Sequence, residues 1–192
     1  MRVQSLVLVA VLTLSASAGA VQPPPRNTGA PETFSANAQV KGAGGALAAT
    51  IQIHIQRYTP DFDRTAVETA LKSGGYPAFL TALRKAPEVG SVSVGEQKFA
   101  IRWAREQKSA NGRTIVVVTD KPVFFVGGGS TDAKPRAGYE VAVIQMQVDD
   151  VGLGSGSMAA AARVKPGGDA GVQIDDYAAE PIKLVTVNRK IS

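Results

Sequence analysis

The sequence predicts an α+β domain: an antiparallel β-sheet, curled into a barrel or folded as a sandwich, with an inserted helical hairpin. Three observations predict it. Most of the chain from residue 49 onward alternates apolar and polar residues, the period of a half-buried strand. The connections between these runs are short and turn-like, which favours antiparallel neighbours. Only residues 59–86 change to a helical period.

The N-terminus precedes the domain. Arg2, the apolar run SLVLVAVLTL and the small residues ending Ala18-Gly19-Ala20 have the order of a secretory signal peptide over residues 1–20, cut after Ala20. The run is well short of the ~20 residues that span a bilayer, so a cleaved signal fits better than an anchor and leaves no membrane span. No Cys follows the small residues, which excludes a lipid-modified N-terminal Cys. Residues 21–44 read as a Pro- and Gly-rich leader that opens with VQPPPRNTGAPET. The single domain then occupies residues 45–192.

Its first clear strand is ATIQIHIQRY, in which Ile51, Ile53 and Ile55 alternate with Gln52, His54 and Gln56. Thr59 is placed to cap a helix with Pro60 at its first position, where a missing N–H costs nothing. Phe62, Ala66, Val67, Ala70 and Leu71 share one helical face, and Gly74-Gly75 ends the helix. A second helix from about Pro77 turns Phe79, Leu80, Leu83 and Ala86 inward, and Pro87 stops it. Strands return from Val89, with Phe99, Ile101 and Trp103 on one side of their strand. Asn111-Gly112 is a hairpin turn, and RTIVVVTD, apolar on both faces, is a central strand. PVFFV continues as strand, and GGGSTDAKPRAG is a loop. YEVAVIQMQVDD, a segment near 157–165, VQIDDY and EPIKLVTVNRKI complete the sheet.

Composition removes several chemistries. The 192 residues include no Cys and one His, so disulfides, thiol nucleophiles, thiolate metal sites and His-rich sites are absent. The formal charge of +5 is scattered over residues such as Arg57, Arg102, Arg105, Arg113, Lys165, Lys183, Arg189 and Lys190. No basic block of the kind found in nucleic-acid arms occurs. The balance favours anionic partners or an anionic envelope surface.

Residues 142–164, AVIQMQVDDVGLGSGSMAAAARV, have the order of a phosphate-binding strand–loop–helix. The dinucleotide pattern G-x-G-x-x-G is met by Gly152 and Gly154, but Ser157 stands at its third glycine. No Gly-Lys-Ser/Thr follows, and Pro166-Gly167-Gly168 cuts off the required crossover helix. The stretch Val151 to Gly156 therefore reads as a tight turn between antiparallel strands, and MAAAARV as a strand of small residues. No cofactor is expected.

Four residues are candidates for ligand binding. Trp103, Phe124 and Phe125 have the aromatic character to line an apolar pocket in a small barrel, against the simpler reading as core. His54, the sole histidine, is a general base only if partners converge on it; on a polar strand face it reads first as surface. The pairs Asp149-Asp150 and Asp175-Asp176 are candidate calcium ligands if two strand ends meet, since calcium needs several oxygens at once. The D-x-D-x-D-G spacing is missing.

The run IHIQRYT, then LTALRKAPEVGSV, FAIRWAR, GRTIVVVTDKPV, YEVAVIQMQVDDVGLGSGSM and EPIKLVTVNRK resembles a family of exported proteins of soil bacteria such as acidobacteria. The likeness lies in order and spacing over roughly residues 50–190. Phe124-Phe125 stands where the family usually has a Trp, and GSGSM where it more often has GEGKM. The family has no established activity, so the resemblance implies export and domain extent and carries over no catalytic residue. The expected function is a non-enzymatic periplasmic or secreted binding domain, with an unknown protein, an envelope component or an apolar small molecule as partner. The alternatives are a structural envelope protein and a carboxylate-based hydrolase, which would need two acids about 5–9.5 Å apart in a cleft.

Overall fold

The computed structural model describes residues 29–42, 45–124, 136–168 and 171–190. The signal segment, Phe125 and most of the GGGSTDAKPRAG loop lie outside them. In chain order the elements are β1 (Glu32–Gly42), β2 (Gly45–Ile55), α1 (Asp61–Lys85), β3 (Gly90–Val94), β4 (Gln97–Ser109) and β5 (Gly112–Thr119). There follow β6 (Val141–Val148), β7 (Leu153–Pro166), β8 (Val172–Tyr177) and β9 (Ile182–Lys190). The strands pair in the order β6-β5-β4-β3-β2-β1-β9-β7, and β6 pairs again with β7. Each pairing is antiparallel, so eight strands close into a barrel, with β8 added beside β7. Of barrel and sandwich, the chain forms the barrel.

The barrel interior is filled by the inward residues of the strands, among them Phe34, Ile51, Ile53, Ile55, Ile101, Ile115, Val117, Ile144, Met146 and Leu184, all fully buried. A second apolar layer lies outside the wall, where Val67, Leu71, Phe79 and Leu83 of α1 cover Trp103, Val116, Val118, Val143, Ala159 and Ala162. β5 thus has both faces covered, as its continuous apolar run predicts. The small Ala159 and Ala162 let the helix approach β7.

β7 and the β8–β9 stretch form one long hairpin. β8 pairs with Ala162–Pro166, and β9 pairs with the Leu153–Met158 half of the same strand. The β7–β8 end folds back over the outer wall. Val164 and Val172 join the layer beneath the helix, and a Cβ on Gly171 would stand 2.5 Å from the Glu68 carboxyl carbon.

Several expectations need correction. The leader does not reach residue 44, because β1 pairs on both sides, with β2 and with β9. Its core positions are filled by Phe34, Ala36 and Ala38, whose small size hides the strand among neighbouring polar residues. The expected hairpin is a single helical element broken at Gly75, whose φ of 66° is open to glycine. Thr59 does not cap it. Its backbone N–H donates to the Ala104 carbonyl at 2.9 Å, and its Oγ1 accepts the Ala104 N–H at 2.8 Å, docking the helix start on β4. Phe62 is 85% exposed rather than inward. Pro122–Phe124 is not strand, although the Val123 N–H donates to the Ala160 carbonyl at 2.9 Å.

The glycine segment is a turn between antiparallel strands, placed slightly earlier than expected. Asp149 Oδ1 accepts the N–H groups of Val151 (3.0 Å) and Leu153 (2.8 Å), and Gly152 takes φ 88°. Gly154 and Gly156 already belong to β7.

Candidate functional site

Two polar constructions stand out. The first closes one end of the barrel interior. Arg113 of β5 points inward below Ile115 and forks onto Glu32 of β1, with Nη1–Oε1 at 2.8 Å and Nη2–Oε2 at 2.6 Å. Nη1 also reaches Glu106 Oε2 at 3.0 Å, and the guanidinium lies 5.6 Å from the Phe34 ring centroid. Tyr58 donates its hydroxyl to Glu32 Oε1. Burial lowers the guanidinium's pKa, but the Glu32 hydrogen bonds and the neighbouring negative charges outweigh it and hold the group above its ordinary range. Burial, then the bond to Glu32, pushes the Tyr58 phenol up. Two carboxylates here accept from one nitrogen, and the Glu32 and Arg113 side chains are each 4% exposed. Both acids accept hydrogen bonds from the arginine, so this cluster ties β1, β4 and β5 together at one end of the barrel.

The second is a groove of about 540 Å³ between the outer wall of β4–β6 and the overhanging β8, a size usual for small-molecule sites. Strand register builds its floor. Gln107, Thr114 and Gln147 are directly opposed across the three strands, and Arg105, Val116 and Gln145 form the next row. A further row, Trp103, Val118 and Val143, marks where the apolar layer begins. β8 supplies Val172, Gln173, Ile174 and Tyr177 from above, and Lys108 and Ser109 stand at the end near the β4–β5 turn. No carboxylate or histidine is among the lining residues. The four glutamine side chains make no hydrogen bond to another described residue.

Ion pairs add to the ladder that joins β8 to β7. Asp175 accepts from Arg163 Nε at 3.0 Å and lies 3.3 Å from Lys165 Nζ. Asp176 accepts from the Tyr139 hydroxyl and lies 3.6 Å from Arg163 Nη2. The Arg163 bond, then Lys165, holds the Asp175 carboxyl below its ordinary value. Tyr139 does the same for Asp176.

The residues singled out from sequence do not converge. Trp103 is fully buried between wall and helix, and its Nε1 has no hydrogen-bond partner among the described residues. Phe124 is half-buried against the interior cluster. His54 is exposed on β2, with Nδ1 2.9 Å from Thr33 Oγ1. Asp149-Asp150 sits in the turn between β6 and β7, and Asp175-Asp176 pairs with Arg163 and Lys165 near the far end of β7. At ~3.3 Å per residue most of a fourteen-residue strand separates the two pairs. Among the described residues no three His, Cys, Asp or Glu gather as metal ligands, and no described helix is long and apolar enough to cross a membrane.

The groove residues were missed because each looks like an ordinary outward position of a strand. Alternation in IQMQV marks Gln145 and Gln147 as sharing a face, but only cross-strand register joins them to Thr114 and Gln107. Compared with protein families, curated proteins and solved structures, the chain matches none of them significantly.

Proposed function

We propose that this chain is an exported binding domain, periplasmic or secreted, that takes a polar ligand in the groove between the β4–β6 wall and β8. One observation carries the reading: the unengaged amides of Gln107, Gln145 and Gln147, with Thr114, share one concave face of the wall beside Arg105. Polar groups that converge in a concave space fix the orientation of a ligand, and here they stand around the smaller apolar surface of Val116 and Val143. The interior offers less support for an apolar ligand, because large side chains occupy it. The absence of acid and histidine from the lining favours binding over chemistry there. Export rests on the N-terminal pattern.

Native mass spectrometry tests the site. The protein purified gently from its host's extracytoplasmic fraction should carry a polar mass that a Thr114→Trp variant, with its groove filled, lacks. A mass retained by both proteins would place the ligand elsewhere. N-terminal sequencing of the same sample should begin at Val21.

A structural role in the envelope has one observation of its own. β8 pairs only with β7, leaving its other edge without a strand partner among the described residues. Such an edge is a template for another chain, and that reading predicts a stable oligomer in which β8 amides become protected.

A further inference from the structure

We infer that the groove ligand is an acidic saccharide, a short oligosaccharide carrying carboxylates; this rests on the groove being the binding site. The first argument is the kind of hydrogen bond offered. A glutamine amide donates and accepts at once, as does a threonine hydroxyl, and sugar hydroxyls do the same. Gln107, Gln145, Gln147 and Thr114 present this dual chemistry from one face of the wall, and the three amides are unspent on the protein itself.

The second argument separates a saccharide from an extended peptide. A peptide gains affinity chiefly by main-chain hydrogen bonds to a free sheet edge. The floor is a sheet face, and the backbones of its two inner strands are already used: β5 pairs with β4 and β6, and β6 pairs with β5 and β7. On the face of these two strands only side chains remain, set on a grid of ~4.8 Å between strands and ~6.7 Å between alternate residues, and the unpartnered edge belongs to β8 above them. This spacing suits hydroxyls distributed over linked rings. Val116 and Val143 below, with Ile174 and the Tyr177 ring above, offer surfaces for the C–H faces of those rings.

The third argument is charge. Arg105 is the charged residue on the groove face of the wall, in the row of Val116 and Gln145. Arg105's ion pair is with Glu68 at 4.0 Å, beyond hydrogen-bond reach, which leaves the guanidinium fork uncommitted. A planar guanidinium is suited to a carboxylate, which it can bind through two parallel bonds. The net charge of +5 draws an anionic ligand in the same direction.

The test uses the purified protein, with NMR of its glutamine side-chain amides titrated by trigalacturonate, by maltotriose and by a hexaglutamate peptide. Trigalacturonate should move the amides of Gln107, Gln145 and Gln147 and bind about ten-fold more tightly than maltotriose, as expected of one charge-assisted contact. Arg105→Gln should erase that preference while leaving weak saccharide binding, and Gln147→Ala should weaken both sugars. Equal binding of the two sugars would overturn the acidic assignment and leave the groove reading standing. Hexaglutamate moving the amides when neither sugar does would overturn the saccharide. If no probe moves them, the saccharide inference falls, and the Thr114→Trp comparison decides separately whether the groove holds anything.

Discussion

Arg113 and Glu32, 81 residues apart in sequence, are joined inside the barrel by two parallel hydrogen bonds of 2.8 and 2.6 Å. The pair ties β5 to β1 across the barrel interior. Removing one partner of a buried pair typically costs about 3–5 kcal/mol, because the other charge is left uncompensated. Glu32→Gln should therefore fall toward the lower end, since Glu106 still neutralises the arginine. Arg113→Met should cost more, since it strands two carboxylates. Urea unfolding at neutral pH reads both. An Arg113→Met loss smaller than that of Glu32→Gln would refute this account.

Tyr58 adds an alkaline limit. Its phenol titrates above its ordinary value because it is buried and then because it donates to Glu32, and burial also raises Tyr76. A raised folded-state pKa means that stability is fully present below the unfolded value of about 10 and is lost as pH rises through the folded value. Absorbance titration of the native protein should show these two tyrosines ionising late. Denaturant midpoints should fall steadily above about pH 10. In Tyr58→Phe the decline should be shallower.

The corrected and missed features have particular physical causes. Strand period and turn residues are local signals, and they locate β2, the Asn111-Gly112 turn and the two-faced strand β5. β1 was hidden because two of its inward residues are Ala36 and Ala38, too small to mark an apolar stripe against their polar neighbours. Phe62 obeys the helical period yet points to water, because α1 rests on the barrel through Val67 and Leu71 further along. The groove is a matter of register between strands up to forty residues apart, which no local period encodes. Phe62→Ser should change stability by less than about 0.5 kcal/mol, as for ordinary surface positions. Leu71→Ala should cost about 2–5 kcal/mol. Thermal unfolding of the two variants side by side tests that assignment of faces.

Gly154 sits where β7 crosses closest to β6. A Cβ at that position would stand 1.8 Å from the Gln147 carbonyl oxygen, and one at Gly156 would stand 2.3 Å from the Gln145 carbonyl oxygen. These are backbone atoms in the barrel's closing ladder, with no flexible side chain to swing away. Gly154→Ala should therefore cost at least the ~1–3 kcal/mol usual for overpacking, read as a lowered urea midpoint. The open position Gly95, with φ 57° and nothing within 4 Å, provides the contrast. Gly95→Asn should be tolerated, because Asn enters the left-handed region more readily than other side chains.

The groove depends on β8 staying over the wall, where ion pairs add to its ladder with β7 and to the packing of Val172 and Ile174. Arg163 and Lys165 hold Asp175 below its ordinary pKa, and Tyr139 holds Asp176 below its own. For a depressed folded-state pKa the stabilisation is complete above the unfolded value of about 3.9 and disappears as pH falls through the folded one. Carboxyl NMR shifts should place both midpoints below that value. The double variant Asp175→Asn/Asp176→Asn should loosen the overhang at neutral pH without opening the barrel, because the anchors lie outside the interior core. Amide exchange should accelerate at Val172–Tyr177 and stay unchanged at Ile115 and Val117, the behaviour of a local opening. Saccharide binding should weaken in the same variant, since Ile174 and Tyr177 ride on β8. Faster exchange spreading equally into β5 would mean instead that these ion pairs support the whole barrel.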